Sequence, residues 1–120
     1  MKMYFDCVSV SVAGDYYQVM FHDDSEDEGD GTPDAPYVLI QRQFEMPDGG
    51  RIYIETQDED YIGHFAVTRS VLGPKELSLH LRRKRAAELE VTFNTSKREY
   101  TALKKALRTM IPNIELVEAS

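Results

Sequence analysis

The side chains of this sequence that could do chemistry are its carboxylates, three histidines, one cysteine and one basic run. Asp23, Asp24, Glu26, Asp27, Glu28, Asp30 and Asp34 crowd into residues 23–36 with no base among them. Asp24, Glu26 and Glu28 ahead of Gly29 copy the opening of an EF-hand loop, where alternate acids and a glycine wrap a calcium ion. Position twelve of such a loop must be a bidentate Glu, and here it is Ala35, with no helical pattern on either side. No specific metal site is expected, only loose attraction of cations. His22, His64 and His80 are too scattered for a ligand motif, and Cys7 alone cannot complete a structural zinc site. Each histidine reads as a solvent-facing strand residue and Cys7 as a small buried or half-buried thiol. Nucleophile motifs, a phosphate-binding glycine loop and a dinucleotide fingerprint are absent, so neither a catalytic residue nor a cofactor is expected.

Charge separates the remaining readings. Arg82-Arg83-Lys84-Arg85, extended by Lys97, Arg98, Lys104, Lys105 and Arg108, resembles a nucleic-acid patch when read alone. The whole chain carries a net charge of −7, however, and its acidic run would repel phosphate, so no nucleic acid is expected. Outside residues 23–36 acids and bases balance, which places the whole net charge in that one loop. A mobile acidic loop beside a folded sheet suits the steering of a basic protein partner, such as a nuclease or pore toxin with a cationic surface. The bland alternative is that the acids only keep the protein soluble.

The elements that would position these residues follow from periodicity. Tyr4, Val8, Val10 and Val12 suggest one strand of about nine residues, and Tyr17, Val19 and Phe21 a second, joined as a hairpin at Ala13-Gly14-Asp15. Residues 37–44 are mostly apolar, as in a central strand. Met46-Pro47-Asp48-Gly49-Gly50 signals a turn into an alternating stretch through Ile52 and Ile54. Residues 62–69 read as one further strand, with Gly63 as a candidate bulge. Leu77, Leu79 and Leu81 mark another, residues 84–88 a helical turn, and Leu89, Val91 and Phe93 the last long strand. Ser96 and Glu99 then form a capping box, Tyr100, Leu103, Leu107, Met110 and Ile111 make an apolar stripe, and Pro112 ends the helix. Ile114, Leu116 and Val117 can pack against an edge. The expectation is an α+β fold: an antiparallel sheet of six or seven strands with one C-terminal helix packed on a face.

The bulk numbers suit that picture. A chain of 120 residues, 42% hydrophobic and 29% charged, fits a single domain spanning 1–120 with a mobile acidic loop at 23–36. There is no long apolar run and no signal-peptide pattern, and a lone cysteine suits a reducing compartment, so a cytoplasmic address without membrane association is expected.

Several stretches together resemble the immunity protein 10 family of bacterial polymorphic toxin systems. They are Tyr53-Ile54-Glu55-Thr56-Gln57-Asp58, Tyr61-Ile62-Gly63, Leu77-Ser78-Leu79-His80-Leu81, Ala86-Ala87-Glu88-Leu89, and Val91-Thr92-Phe93 with Tyr100, Leu103 and Leu107. The opening strands and residues 37–44 match its general layout, whereas residues 23–36 have no counterpart and Ile62-Gly63-His64 stands where a Tyr-Gly-Gly is usual. The resemblance implies a small non-enzymatic α+β protein that binds and neutralises a cognate toxin. The candidate partner-binding residues are Asp24, Glu26, Asp27 and Glu28 in the loop, Asp58, Glu59 and Asp60 in a second acidic connector over residues 57–60, and Tyr61 after it. The competing reading is a small module, structural or ligand-binding, that works as a homodimer through an exposed strand edge. Deleting residues 25–32 is expected to leave cooperative melting intact, because that stretch offers no apolar side chain and closure entropy changes slowly with loop length. Non-cooperative melting of the deletion variant would contradict this.

Overall fold

A computed structural model describes residues 1–23, 36–44 and 50–117. The strands among them are β1 (Lys2–Phe5), β2 (Cys7–Ala13), β3 (Tyr16–His22), β4 (Tyr37–Gln43), β5 (Ile52–Thr56), β6 (Gly63–Phe65), β7 (Val67–Leu72), β8 (Glu76–Leu81), β9 (Glu88–Phe93) and β10 (Glu115–Leu116). One helix, α1 (Lys97–Met110), stands between β9 and β10. The fold is α+β, but the single six- or seven-stranded sheet expected from the sequence is in fact two five-stranded sheets. The first has the order β1-β9-β8-β7-β10 and the second β2-β3-β4-β5-β6. Nor is the pairing wholly antiparallel, since β1 runs parallel to β9 and β10 parallel to β7. Such pairs need long connections, and these are the body of the chain and the α1 crossover.

Two single-residue corners cause the difference. The expected nine-residue first strand breaks at Asp6, leaving β1 in the first sheet and β2 in the second. Phe5 and Val8 are both buried, yet they are three residues apart, which one flat strand of period two cannot provide. Tyr4 consequently points outward and is 58% exposed. The second corner is Ala66, where residues 62–69 divide into β6 of the second sheet and β7 of the first. The register irregularity lies between Val67 and Arg69, not at Gly63, which opens β6 with φ 143. Residues 84–88 form no helical turn: 84–86 are bends, with Ala86 at φ 50, and Glu88 already opens β9.

The inner faces meet in one core. Val19, Phe21, Val38, Ile40, Ile52 and Ile54 come from the second sheet, and Phe5, Leu77, Leu79, Leu89, Val91 and Phe93 from the first. The Phe21 and Phe93 rings lie 5.3 Å apart across the interface. Burial of each such side chain contributes roughly 1.5–3 kcal/mol.

The helix joins the same core. Ser96 Oγ accepts from the Glu99 amide at 3.1 Å and Glu99 Oε1 accepts from the Ser96 amide at 2.8 Å, completing the capping box. Leu103, Ala106, Leu107 and Met110 are buried, and Ile111 follows them inward. The helix packs against β2 and β3, while Arg42 Nη1 of β4 donates to the Met110 carbonyl at 2.6 Å, placing a cation at the helix C-terminus. Beyond the helix, β10 pairs with the β7 edge, with Ile114 and Leu116 packed on the core. Among the described residues no helix is long and apolar enough to cross a membrane.

Leu107 is fully buried at the centre of the helix stripe. Leu107→Ala is therefore expected to lower unfolding free energy by about 2–5 kcal/mol. Denaturant unfolding provides the check, and a loss below about 1 kcal/mol would contradict this packing.

Candidate protein-binding face

Of the sequence-derived candidates, Asp24, Glu26, Asp27 and Glu28 lie outside the described residues. The other four fall on a 3-10 turn, Glu59–Tyr61, that joins β5 to β6. Asp58 caps it, with Oδ1 accepting from the Asp60 amide at 3.0 Å, and buried Thr56 exchanges hydrogen bonds with the Asp58 backbone. Glu59 and Asp60 are exposed. Tyr61 is only 5% exposed, so its ring is a core anchor and not a surface contact. Its hydroxyl donates to the Glu88 carbonyl at 3.0 Å. Burial raises its phenol pKa, and the Arg83 charge partly offsets that.

Arg83 ties this turn to the β8–β9 loop. Its guanidinium lies 4.7 Å from the Phe65 ring centre and 5.2 Å from that of Tyr61, and it donates to the Ala86 and Asp60 carbonyls. One of the four cations in the Arg82–Arg85 run is thereby engaged in internal contacts, and the other three are exposed.

The arrangement that sequence reasoning missed is the outer face of the second sheet. Register sets out its outward side chains in rows: Cys7, His22 and Tyr37; then Ser9, Met20, Leu39 and Glu55; then Ser11, Gln18, Gln41, Tyr53 and His64; then Ala13, Tyr16 and Gln43. Most are half-buried by their neighbours, as on an antiparallel sheet with one face on the core and the other open. Polar side chains lock one another in place. Tyr16 donates to Gln18 Oε1 at 2.6 Å, Gln41 to the same oxygen at 2.9 Å, and Ser9 Oγ meets His22 Nε2 at 2.9 Å. The Tyr53 and His64 rings pack at 5.3 Å.

Glu55 is at the centre of the strongest group. Tyr37 donates to Oε2 at 2.7 Å and Tyr53 to Oε1 at 2.7 Å. Tyr53 and Glu55 share a face because they are two apart on one strand, a signal visible in the sequence. Tyr37 arrives only through the β4–β5 register, diagonally from Glu55, and nothing local announces it. The hydrogen bonds from Tyr53 and then Tyr37 lower the Glu55 pKa. Reciprocally, the bond to Glu55 pushes Tyr37 up to about 12 and raises Tyr53.

No lysine or arginine is among the outward residues of these five strands. Arg51 precedes β5 by one residue and is four positions from Glu55, roughly 13 Å along an extended chain. The outer face of the first sheet is different. There Lys2 pairs with Glu90 at 3.5 Å, Arg69 with Glu115 at 3.5 Å and His80 with Glu88 at 3.8 Å, around an open concavity of about 630 Å³. A smaller hollow of about 120 Å³ lies by Arg42, Ser70 and Met110, below the range of roughly 300–1,000 Å³ usual for ligand pockets. Among the described residues, no group of three or more His, Cys, Asp or Glu side chains is placed to hold a metal ion.

Comparison with family models, with curated proteins and with solved structures returns no match for this chain.

A carboxylate with a depressed folded-state pKa contributes stability above its unfolded pKa and loses it as pH falls through the folded value; the raised tyrosines lose theirs as pH rises through their folded values. The doubly substituted Tyr37→Phe, Tyr53→Phe chain is expected to titrate Glu55 at higher pH than the parent. Carbon-detected NMR of the side-chain carboxyl measures it, and an unchanged midpoint would mean that the phenols do not hold the carboxylate.

Proposed function

We propose that this chain is a non-enzymatic immunity-type protein that binds and neutralises a cognate, basic bacterial toxin through the outer face of the second sheet. The sequence resemblance to the immunity protein 10 family motivates the reading. The single observation that carries it is the composition of that face: tyrosine, amide and serine side chains held by mutual hydrogen bonds around one carboxylate, with no lysine or arginine. Tyrosine provides large amphipathic contact area at low entropic cost, and depletion of lysine is typical of interface centres. Five strands about 4.8 Å apart and up to seven residues long make a plate of roughly 20 by 23 Å, enough for the centre of an interface burying about 800 Å² per partner. In this reading the loop acids Asp24, Glu26, Asp27 and Glu28, with exposed Glu59 and Asp60, steer encounter, and the sheet face holds the complex. The competing homodimer would use β2, a seven-residue strand at the sheet edge.

Co-expression with the toxin encoded beside this chain tests the proposal. The protein is expected to bind that toxin and restore growth. Met20→Arg combined with Leu39→Arg should weaken binding by about tenfold or more, while Thr92→Arg on the other sheet should not. Replacing the four loop acids by their amides should slow association at low salt with little change in dissociation. A neighbouring product that neither binds nor is inhibited would refute the immunity reading. Sedimentation of the chain as a dimer dissociated by substitutions on β2 would favour the competitor.

A further inference from the structure

We propose that Glu55, braced by Tyr37 and Tyr53, is the receptor for an arginine side chain of the cationic protein partner. This rests on the reading of the outer face as a binding surface and specifies the chemistry at its centre.

The brace fixes the carboxylate before any partner arrives. Each oxygen accepts one phenol hydrogen bond at 2.7 Å, which holds the side chain's orientation and leaves further acceptor capacity on both oxygens. A guanidinium presents two parallel N–H groups that match two carboxylate oxygens, and the entropy of ordering this glutamate has already been lost in the free protein.

Charge complementarity identifies the occupant. Glu55 is the only carboxylate among the outward residues of β2 to β6, and no cation among the described residues pairs with it. On the opposite sheet Glu88, Glu90 and Glu115 each have an internal basic neighbour. The net charge of −7 favours approach of a cation from outside.

The surroundings favour arginine over lysine. Leu39 is the direct cross-strand partner of Glu55, and Met20 pairs with Leu39 in the same row, so an aliphatic stem crossing toward the carboxylate meets apolar surface. Two phenol rings adjoin the carboxylate, and aromatic rings favour a planar guanidinium over a compact ammonium.

The test is an NMR titration of the isotopically labelled full chain. The probe is an acetylated, amidated peptide of alternating Gly and Arg, compared with versions carrying citrulline or lysine. The arginine peptide is expected to shift signals of Tyr37, Leu39, Tyr53 and Glu55, the lysine version less, and the citrulline version not at all. Glu55→Gln, which keeps the shape but removes the charge and replaces one acceptor oxygen by an amide donor, should weaken arginine-peptide binding about tenfold, and Tyr37→Phe or Tyr53→Phe about two- to tenfold. Glu90→Gln should have no effect. Unchanged melting temperatures would show that lost binding is not lost folding. Shifts confined to residues 23–36, equal binding of the citrulline peptide, or full affinity in Glu55→Gln would each overturn the proposal. The two readings fail separately. A Glu55→Gln chain that binds the neighbouring toxin as the parent does refutes the arginine receptor and leaves the toxin-binding reading standing. An arginine peptide that titrates at Glu55, in a chain that no neighbouring toxin recognises, supports the receptor and refutes that reading.

Discussion

The structure depends on one shared hydrophobic core between two sheets, neither of which can cover its own inner face. Val19, Phe21, Ile40 and Ile54 on one side and Leu79, Leu89, Val91 and Phe93 on the other are buried only while the sheets face each other. The chain enforces that meeting covalently. It passes from the first sheet to the second at Asp6 and returns at Ala66, one residue in each case, so the sheets are stitched together at two corners. The helix adds its stripe of Leu103, Leu107 and Met110, and Arg42 fastens its end to β4. The pairings that complete the first sheet, such as β1 with β9, are non-local, which raises contact order and makes the sheets dependent on each other for stability.

Once one face of each sheet is committed to the core, the other is free to vary, and the two outer faces have diverged. The first sheet carries opposite charges close enough to pair, Lys2 with Glu90 and Arg69 with Glu115, and His80 lies beside Glu88. The second carries hydroxyls, amides, histidines and a lone carboxylate that bond to one another and leave negative charge without a counterpart. Exposed ion pairs add little to stability, about 0–1 kcal/mol each, so the contrast bears on what each face attracts more than on how firmly the sheets hold.

The cations are distributed to the same effect. Arg42 serves the helix C-terminus, Arg83 stacks on Phe65 and Tyr61 and bridges two loops, and Lys97, Arg98, Lys105 and Arg108 project from the outward side of α1. None stands among the outward residues of β2 to β6. The basic run Arg82–Arg85 is divided by the fold between packing, at Arg83, and solvent, at Arg82, Lys84 and Arg85.

The sequence by itself determined the elements whose cues are local. Alternation marked β8, β9 and the β2–β3 hairpin, and the Ser96–Glu99 capping box with its apolar stripe marked α1, because a period and a cap are properties of consecutive residues. Only the tertiary structure decided sheet membership. The spacing of Phe5 and Val8 recorded the corner at Asp6 as a phase shift, but one bend has no compositional signature and an uninterrupted apolar run conceals it. The same limit governs the binding face. Tyr53 and Glu55 lie on one strand face by simple alternation, whereas Tyr37 reaches Glu55 from 18 residues away. Register between strands follows from matching whole inner faces against a core, a condition that no short stretch of sequence contains.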